Sequence, residues 1–542
     1  SFSSCTDYIN VDKYFYDQVS LDSAFSKRVY VEGWLSSAYS VMDYIGEYRE
    51  PFRWASDDLY HPDMKDYVEG NYSADNQLGD EAEARKGESR LWKYYEGIRK
   101  ASTFIVNVDR CPELTMDEIA DMKGQARFLR AYCYWALIRV YGPVPLIPLE
   151  GLDVNLSYEE LSLPREHFDN LVDFIDQELA ESARSLPTKR TVNNLGRPTR
   201  GAALGLRSRV LLYAASPLFN GNTDFFNVKD CYGNQLVSQT YDETKWAKAA
   251  AAAKDVIELA KASGLYELYV VAPKATVLPS QRPPHNALYS DKNYPEGWAD
   301  VDPLLSYKSN FDGTILGSKN PELIFTRTRI GTGHINDWAY QSTPKTLKGN
   351  NRLAVTQKQV DAYAMNDGRS ITEAEATGDY VTQGFTTQAY AVANPFLPAK
   401  VNLMYNNREP RFYASIAYNG SVWEASSASE SEFRDQQIFY YRGLNDGKQG
   451  FKEECPLTGV TLKQFYNSED SRTEGGYLVD KTEMTIRYGE ILLIYAEALN
   501  ELTSGQVYHL TTYTGADVEI QRSVDEMRYA IKRIRMRAGV PD

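Results

Sequence analysis

The sequence predicts a mainly α-helical protein, in which a scaffold of packed helix pairs is interrupted by a loop-rich inserted lobe containing short strands. Three observations indicate this fold class. Apolar residues recur at helical spacing in five stretches, all before residue 264 or after residue 476. Alanines occupy many contact positions on those stretches, with large aromatic residues between them. Between residues 264 and 476, Pro, Gly, Asn and Ser break the chain into short segments, which is typical of loops.

The clearest helical stretch is residues 125–141. Two apolar stripes follow it, one through Leu129, Cys133, Ala136 and Val140 and the other through Phe128, Tyr132 and Trp135. A helix with two such stripes is covered by neighbours on two sides. We expect it to end at Gly142 and Pro143, because glycine favours a helix-terminating conformation and proline cannot continue a helix.

The other helical stretches carry one apolar stripe each. They are residues 201–215, 246–263 and 488–499, and a final short helix through Ile531, Ile534 and Met536. Gly264 is expected to cap the second of them. Alanines at contact positions let helices approach closely, as in tetratricopeptide pairs, although the spacing is too irregular for a plain tetratricopeptide array.

The middle of the chain is expected to form the lobe. Segments 322–326 and 411–417 are bounded by turn residues, which predicts short strands or turns of helix. Loops this long inside a compact protein usually carry function. The predicted division is a tether over residues 1–20, a first scaffold part over 21–263, a loop-rich ligand-binding lobe over 264–476 and a second scaffold part over 477–542.

Composition and charge exclude several classes of protein. Lys and Arg total 59 against 74 Asp and Glu, so the net charge is −15 and a polyphosphate would be repelled. No apolar stretch approaches the length of a membrane-spanning helix. The five cysteines show no CxxC spacing, so neither a zinc site nor a redox pair is indicated. We therefore expect no nucleic-acid partner, no bound metal and no cofactor.

The sequence also lacks common catalytic motifs. Its five histidines form no HExxH motif, and it contains neither a GxSxG elbow nor a P-loop. A glycosidase needs two carboxylates facing a sugar, but adjacent acids such as Asp57 and Asp58 are expected in any chain with 74 acidic residues. We therefore predict that the protein is not an enzyme. A helical-repeat scaffold without a small ligand would explain the helices, but it leaves the aromatic middle of the chain without a purpose.

Several motifs resemble those of one known family and follow that family's order. They are Phe128-Leu129-Arg130-Ala131-Tyr132 running on to Val140-Tyr141-Gly142-Pro143-Val144-Pro145, then Arg200 to Leu206, Pro321 to Phe325, Val360 to Tyr363 before Asp367-Gly368-Arg369, Arg408 to Phe412, Arg487 to Asn500, and Ile534 to Pro541. Each motif alone is weak, but together they are specific. The chain resembles the SusD/RagB-like outer-membrane nutrient-binding lipoproteins, the starch-utilisation-system D-like family.

The resemblance implies a tetratricopeptide-like scaffold in a non-catalytic, cell-surface glycan-binding lipoprotein of the outer membrane. The implied partner is a SusC-like TonB-dependent transporter, which receives the captured oligosaccharide for carbohydrate uptake and polysaccharide utilisation. RagB-like relatives handle peptides, so peptide capture is the alternative within the family.

The N-terminal residues fit this resemblance. Phe2-Ser3-Ser4-Cys5 has an apolar residue three positions before Cys5 and small residues directly before it, as at the end of a lipoprotein signal. Lipidation of Cys5 is therefore expected to anchor the protein in outer-membrane lipid, with residues 1–4 removed. Members of the family commonly continue beyond the segment that ends here at Pro541, so whether the chain is complete at Asp542 is left open.

A sugar ligand requires flat apolar surfaces for its C–H groups and polar side chains for its hydroxyls. The candidate stacking surfaces are four tryptophans in polar, turn-rich surroundings, Trp54, Trp298, Trp338 and Trp423. The nearest hydrogen-bonding candidates are Asp57, Asp58, Asn336 and Asp337. Each of these tryptophans could instead anchor its own loop onto the scaffold. The tryptophans expected in the core, because they lie at helical spacing with apolar residues, are Trp92, Trp135 and Trp246.

Overall fold

The structure is a computed structural model of the chain. It describes residues 21–43, 56–62, 68–71, 90–152, 155, 157–274, 283–327, 332–450 and 454–541. Long helices lie before residue 264 and after residue 487, and short irregular segments lie between them. The predicted mainly α-helical fold class is confirmed. The division of the chain at residues 20, 263 and 476 stays a prediction.

The helices of the described residues are numbered in chain order. They are α1 (Leu21–Ala24), α2 (Arg28–Tyr39), α3 (Arg90–Asn107), α4 (Met116–Tyr141), α5 (Tyr158–Leu161), α6 (Phe168–Ser185), α7 (Arg200–Ala215), α8 (Thr244–Ser263), α9 (Pro303–Lys308), α10 (Thr332–Ser342), α11 (Gln357–Ala362), α12 (Ile371–Thr377), α13 (Gln388–Ala393), α14 (Pro410–Ser415), α15 (Tyr488–Asn500) and α16 (Val524–Arg537). No helix in this part of the chain is both long enough and apolar enough to cross a membrane.

The strands are short and form antiparallel pairs. They are β1 (Leu59–Tyr60), β2 (Leu323–Phe325), β3 (Ala354–Val355), β4 (Ile416–Ala417), β5 (Val422–Trp423), β6 (Gln436–Gln437), β7 (Thr461–Leu462), β8 (Ile486–Arg487), β9 (Val507–Thr511) and β10 (Asp517–Gln521). The pairs are β1 with β3, β2 with β8, β4 with β7, β5 with β6, and β9 with β10.

The long helices pack largely in chain order. α3 packs against α2 and α4, α4 against α6, α6 against α7, and α7 against α8. α8 then packs against α15, which packs against α16, so the helical layer continues across the inserted lobe. One hydrophobic cluster runs through all these helices. Small residues permit the close approach: a Cβ on Gly97 would lie 2.9 Å from Val41 Cγ2, and one on Gly205 would lie 2.9 Å from Ile486 Cγ2.

Both predicted helix ends are confirmed. Gly142 follows α4 and Gly264 follows α8, each with a φ of 65° that favours glycine. The start of α4 lies at Met116, well before the predicted start at residue 125. There the Thr115 side chain accepts a hydrogen bond from Glu118 N, and the Glu118 carboxylate accepts one from Thr115 N. The apolar stripe continues into these turns through Ile119 and Met122, which pack in and against the hydrophobic cluster, but the mostly polar residues around them obscured it.

The lobe contains the predicted short elements. Segment 322–326 contains β2, and segment 411–417 contains most of α14 followed by β4. β2 pairs with β8, which leads directly into α15. The hairpin of β9 and β10 between α15 and α16 is an addition that the sequence reading missed.

A buried carboxylate joins the lobe to the last helix. Glu322, in front of β2, accepts hydrogen bonds from Arg487 Nη1 at 2.8 Å and from Arg537 Nη1 at 2.6 Å. Its side chain is completely buried, and that of Arg537 is 2% exposed. Burial alone would raise the pKa of Glu322, but the charges of Arg537 and Arg487 outweigh it and hold the pKa below its ordinary value. Glu322 is therefore ionised and paired at neutral pH.

Candidate functional site

A cleft of about 330 Å³ lies in the lobe, where segments far apart in the chain meet. Its lining residues are Asp58, Leu59, Trp338, Val355, Gln359, Tyr363, Ile416, Leu462, Gln464 and Phe465. They combine apolar and aromatic side chains with a few polar ones, which is typical of a ligand-binding cleft.

Short strand ladders bring four of these segments together. Leu59 pairs with Val355 between β1 and β3, and Ile416 pairs with Leu462 between β4 and β7. Val355 N also donates a hydrogen bond to Val460 O at 2.9 Å, which links the two ladders. The cleft is therefore built on paired backbone rather than on isolated loops.

Thr356 fixes the polar edge of the cleft, where β3 turns into α11. Its side-chain oxygen accepts a hydrogen bond from Gln359 N at 3.3 Å, which caps the helix. Its backbone N–H donates to Asp58 O at 2.9 Å. Gln359 is thus held in the first turn of α11, with Asp58 beside it.

Aromatic side chains form one wall. The ring of Trp338, on α10, packs edge-to-face on Phe465 with 5.6 Å between centroids. Phe465 in turn contacts Phe311, and Leu353 completes the buried cluster behind them. The Trp338 side chain is 7% exposed, so only an edge of its ring is open to the cleft.

Tyr363 supplies a hydroxyl that keeps its proton. Burial raises its pKa to about 12, and the neighbouring Tyr307 adds to the effect. At physiological pH the phenol is therefore neutral and can donate a hydrogen bond. Gln464 lies on the same side, where its Nε2 donates to the Tyr307 hydroxyl at 3.2 Å.

One carboxylate, Asp58, lines the cleft. Its neighbour Asp57 is exposed and forms an ion pair with Lys358, which lowers the pKa of Asp57. Among the described residues, no group of His, Cys, Asp and Glu is arranged to hold a metal ion. The cleft therefore offers hydrogen bonds and an aromatic edge to a ligand.

The structure brings some of the predicted site residues together. Asp58 and Trp338 both line the cleft, and Asp57 is adjacent. Asn336 lies on α10 with Trp338, and its Oδ1 accepts a hydrogen bond from Lys481 Nζ at 3.3 Å. Trp54 and the side chain of Asp337 lie outside the described part of the chain.

The other two predicted stacking residues lie elsewhere. Trp298 packs with Val301 and Met536, and Trp423 packs with Ile438 and Tyr466. Trp423 is 0% exposed, so the expectation that it presents a ring outward is wrong. Trp298 is 7% exposed, as Trp338 is, but it does not line the cleft. In this structure Trp298 and Trp423 anchor their own loops, the alternative that turn-rich surroundings left open. Trp338 was also expected in turn-rich surroundings, but it lies on the helix α10.

One expectation about the core is also wrong. Trp135 and Trp246 are buried as predicted, but Trp92 is 71% exposed. On α3 the buried positions include Tyr94, Ile98 and Ala101, and Trp92 projects away from that face. The spacing of Trp92 with Tyr95 and Ile98 is helical, but Tyr95 lies at the edge of the packed face.

Sequence reasoning missed Gln359, Tyr363, Gln464 and Phe465 as site residues. Tyr363 belongs to one of the family-like motifs, but nothing about its residue type indicated a ligand contact. Strand pairing between residues near 59, 355 and 462 creates the site, and strands of two residues leave no periodic signal in the sequence.

Two sequence profiles match the chain. One, described as the SusD family, matches residues 321–542. The other, described as "Starch-binding associating with outer membrane", matches residues 18–212. A SusD-like protein of Formosa agariphila is 23% identical over 210 residues. That match covers 33% of this chain and 39% of the relative, so the chain spans about two fifths of the length of this curated relative.

Solved structures show the same fold. The structure named BT4246 superposes with a TM-score of 0.70 at 22% identity, covering 95% of this chain and 83% of that one. A SusD-like protein from Bacteroides fragilis gives a TM-score of 0.61 at 21% identity, covering 97% and 82%. A second B. fragilis protein, described as a SusD-like carbohydrate binding protein, gives 0.57 at 17% identity, covering 96% and 80%. With its family-like motifs and both profile matches, the chain belongs to the SusD/RagB-like family.

Proposed function

We propose that the protein is a non-catalytic surface lipoprotein that captures an oligosaccharide in the cleft around Trp338 and delivers it to a SusC-like TonB-dependent transporter. The observation that carries the proposal is the cleft itself, in which an aromatic edge stands beside Asp58, Gln359, Tyr363 and Gln464. Sugar rings combine C–H faces, which pack on aromatic surfaces, with hydroxyls that bind polar side chains.

The lining supports binding rather than hydrolysis. Glycoside hydrolysis commonly requires two carboxylates on opposite sides of the scissile bond. Among the described residues, Asp58 is the one carboxylate in the cleft lining, and the adjacent Asp57 forms an ion pair with Lys358. Uncharged hydrogen-bonding groups make up the rest of its polar lining, which favours a ligand rich in hydroxyls.

A glycan array run beside a peptide panel tests the proposal. Purified protein should bind a defined set of oligosaccharides and no peptide. Selective binding of peptides instead would transfer the assignment to peptide capture. Binding of neither class, with the protein folded, would count against capture of a small ligand.

Asp58→Ala should weaken binding of the array-selected oligosaccharide by about tenfold or more, because a hydrogen bond to a charged group contributes roughly 1.5–3 kcal/mol. Isothermal titration calorimetry measures the change. The matched control is Asp57→Ala, which removes the same side chain one position away and outside the cleft lining. Equal affinities in the two variants would place the ligand elsewhere.

The anchor can be tested separately. Cys5 lies outside the described residues, and its lipidation is proposed from the Phe2-Ser3-Ser4-Cys5 motif. Cys5→Ala should release the protein from the membrane fraction without changing oligosaccharide binding, since stable anchoring requires attached acyl chains. Fractionation is repeated in cells without the transporter, because that partner could retain the protein. Retention of the variant in those cells would show that Cys5 is not the anchor.

The lipidated protein should bring the transporter with it when purified from detergent.

A further inference from the structure

A second cavity, of about 130 Å³, lies between the scaffold and the lobe. It is formed by the loop between α6 and α7, the residues after α8, and the segment that contains β2. Its lining residues are Thr188, Lys189, Arg190, Leu195, Arg197, Thr199, Leu265, Tyr266, Gly317, Ser318, Asn320, Leu323, Ile324, Phe325 and Thr326. None of them lines the cleft around Trp338.

The lining has an unusual charge for this protein. It includes Lys189, Arg190 and Arg197 and no acidic residue, although the chain as a whole has a net charge of −15. A local excess of positive charge at a cavity raises the local concentration of anions.

Only one of the three cations is neutralised. Arg190 forms a two-pronged ion pair with Asp121, at 2.7 Å and 2.5 Å, and also donates to Pro198 O. Arg197 donates from Nη1 to the amide oxygen of Gln125 at 2.8 Å. Among the ion pairs of the described residues, none involves Arg197 or Lys189. Two basic residues of the cavity lining therefore have no carboxylate partner among the ion pairs of the described residues.

Contacts with Tyr39 and Gln125 fix the position of the Arg197 guanidinium. Its guanidinium lies over the ring of Tyr39, 5.3 Å from the centroid, and the Tyr39 hydroxyl donates to the same Gln125 oxygen at 2.9 Å. These contacts use one of its terminal nitrogens. The remaining N–H groups of a planar guanidinium can bind two oxygens of one anion.

We propose that this cavity binds a small anion or an anionic substituent, a sulfate or carboxylate group, through Arg197 and Lys189. The cavity can hold several waters or one small polyatomic group, but not a sugar chain. The hydroxyls of Thr188 and Ser318 lie in the same lining and supply further hydrogen bonds. The inference is independent of oligosaccharide capture, because the two sites share no lining residue.

Calorimetric titration with sodium sulfate, at ionic strength held constant with sodium chloride, tests the site. The protein should show one saturable site. Arg197→Gln should weaken sulfate binding by about tenfold or more, the loss expected for hydrogen bonds to a charged group. Lys189→Ala should weaken it less, because this lysine is more exposed. Lys248→Ala is the matched control: Lys248 is also exposed but lies 3.5 Å from Asp173, and its loss should leave the affinity unchanged.

A folding defect is separated from a binding defect by thermal melts without sulfate. If Arg197→Gln melts early, Lys189→Glu serves as the second variant, since it reverses a charge at an exposed position and should abolish binding. The absence of saturable binding, or unchanged affinity in both the Arg197 and the Lys189 variants, would overturn the proposal.

A parallel titration with D-glucuronate identifies the occupant. Preference for sulfate indicates a tetrahedral anion, and preference for glucuronate indicates a carboxylated sugar.

Discussion

Glu322→Gln should lower the free energy of unfolding by about 3–5 kcal/mol at neutral pH, the cost of removing one partner from a buried ion pair. The Glu322 carboxylate accepts hydrogen bonds from Arg487, from Arg537 and from Tyr269 N. Glutamine keeps the shape but turns an NH₂ group toward one of these donors. Two guanidinium groups then lose their counter-ion, and Arg537 is almost completely buried. Urea denaturation measures the change.

The control for Glu322→Gln is a variant of a second ion pair between α16 and the lobe. Lys532 on α16 pairs with Glu296 of the lobe, but the Glu296 side chain is largely exposed. Glu296→Gln should therefore cost no more than about 1 kcal/mol, as for other surface ion pairs. A Glu322 variant that unfolds at the same urea concentration as the Glu296 variant would show that the buried pair does not hold the lobe to α16.

The same ion pair predicts how stability depends on pH. The folded protein holds the pKa of Glu322 below its ordinary value of about 4.3. The contribution of this residue is thus fully present above that pH and is lost as the pH falls through the folded pKa. Acidification should remove the stability difference between the wild-type protein and Glu322→Gln. A difference that persists in acid would mean that the loss comes from packing rather than charge.

Trp423→Ala should lower the free energy of unfolding by about 3–5 kcal/mol, the usual cost of cutting a fully buried tryptophan to alanine. The Trp423 ring lies edge-to-face on Tyr466 with centroids 4.6 Å apart, and Lys463 Nζ lies 5.5 Å from its centre. Removal of the ring would open a cavity and admit water beside Lys463. Burial already lowers the pKa of this lysine. Oligosaccharide affinity of the folded variant should stay unchanged, because the ring has no exposed face.

Trp92→Ala provides the matched control for Trp423. It removes the same side chain from a position that is 71% exposed, and surface substitutions usually change stability by no more than about 0.5 kcal/mol. The two variants should therefore differ widely in urea midpoint. Similar midpoints would contradict the burial assigned to one of these two residues.

The sequence predicted the helical part of the fold well because periodicity and capping are local signals. The alanine stripe of α8 and the glycine that follows it are enough to define a helix and its end. The beginning of α4 was missed because its first turns are mostly polar, although Ile119 is buried there and a capping box at Thr115 marks the start. The hairpin of β9 and β10 was missed although Val518 and Ile520 alternate with polar residues, the pattern typical of a strand with one covered face.

The site was less accessible to sequence reasoning. Turn-rich surroundings led to Trp298 and Trp423, but such surroundings say nothing about which side of a loop a ring faces. Trp338 and Asp58, two of the predicted site residues, both line the cleft, and their contact with a ligand stays a prediction. For Trp338 the reasoning assumed a turn, and the structure has a helix. Gln464 and Tyr363 reach the cleft through strand pairing, which joins residues distant in the sequence, such as Ile416 with Leu462 and Leu59 with Val355.

The packing of α8 on α15 has a consequence for how the protein is made. As the chain leaves the ribosome, α8 emerges long before α15, with the whole lobe between them. Until the segment from Arg487 onward has been synthesised, the face of α8 that packs on α15 is uncovered, and the buried Glu322 lacks both of its arginine partners. The entropic cost of closing the long loop between α8 and α15 grows only with the logarithm of its length, so the extra length adds little to that cost. Contacts between residues this far apart in the sequence nevertheless slow folding. The contact between α8 and α15 and the ion pairs of Glu322 therefore form only after most of the chain has been synthesised, whereas α2 to α8 can pack earlier.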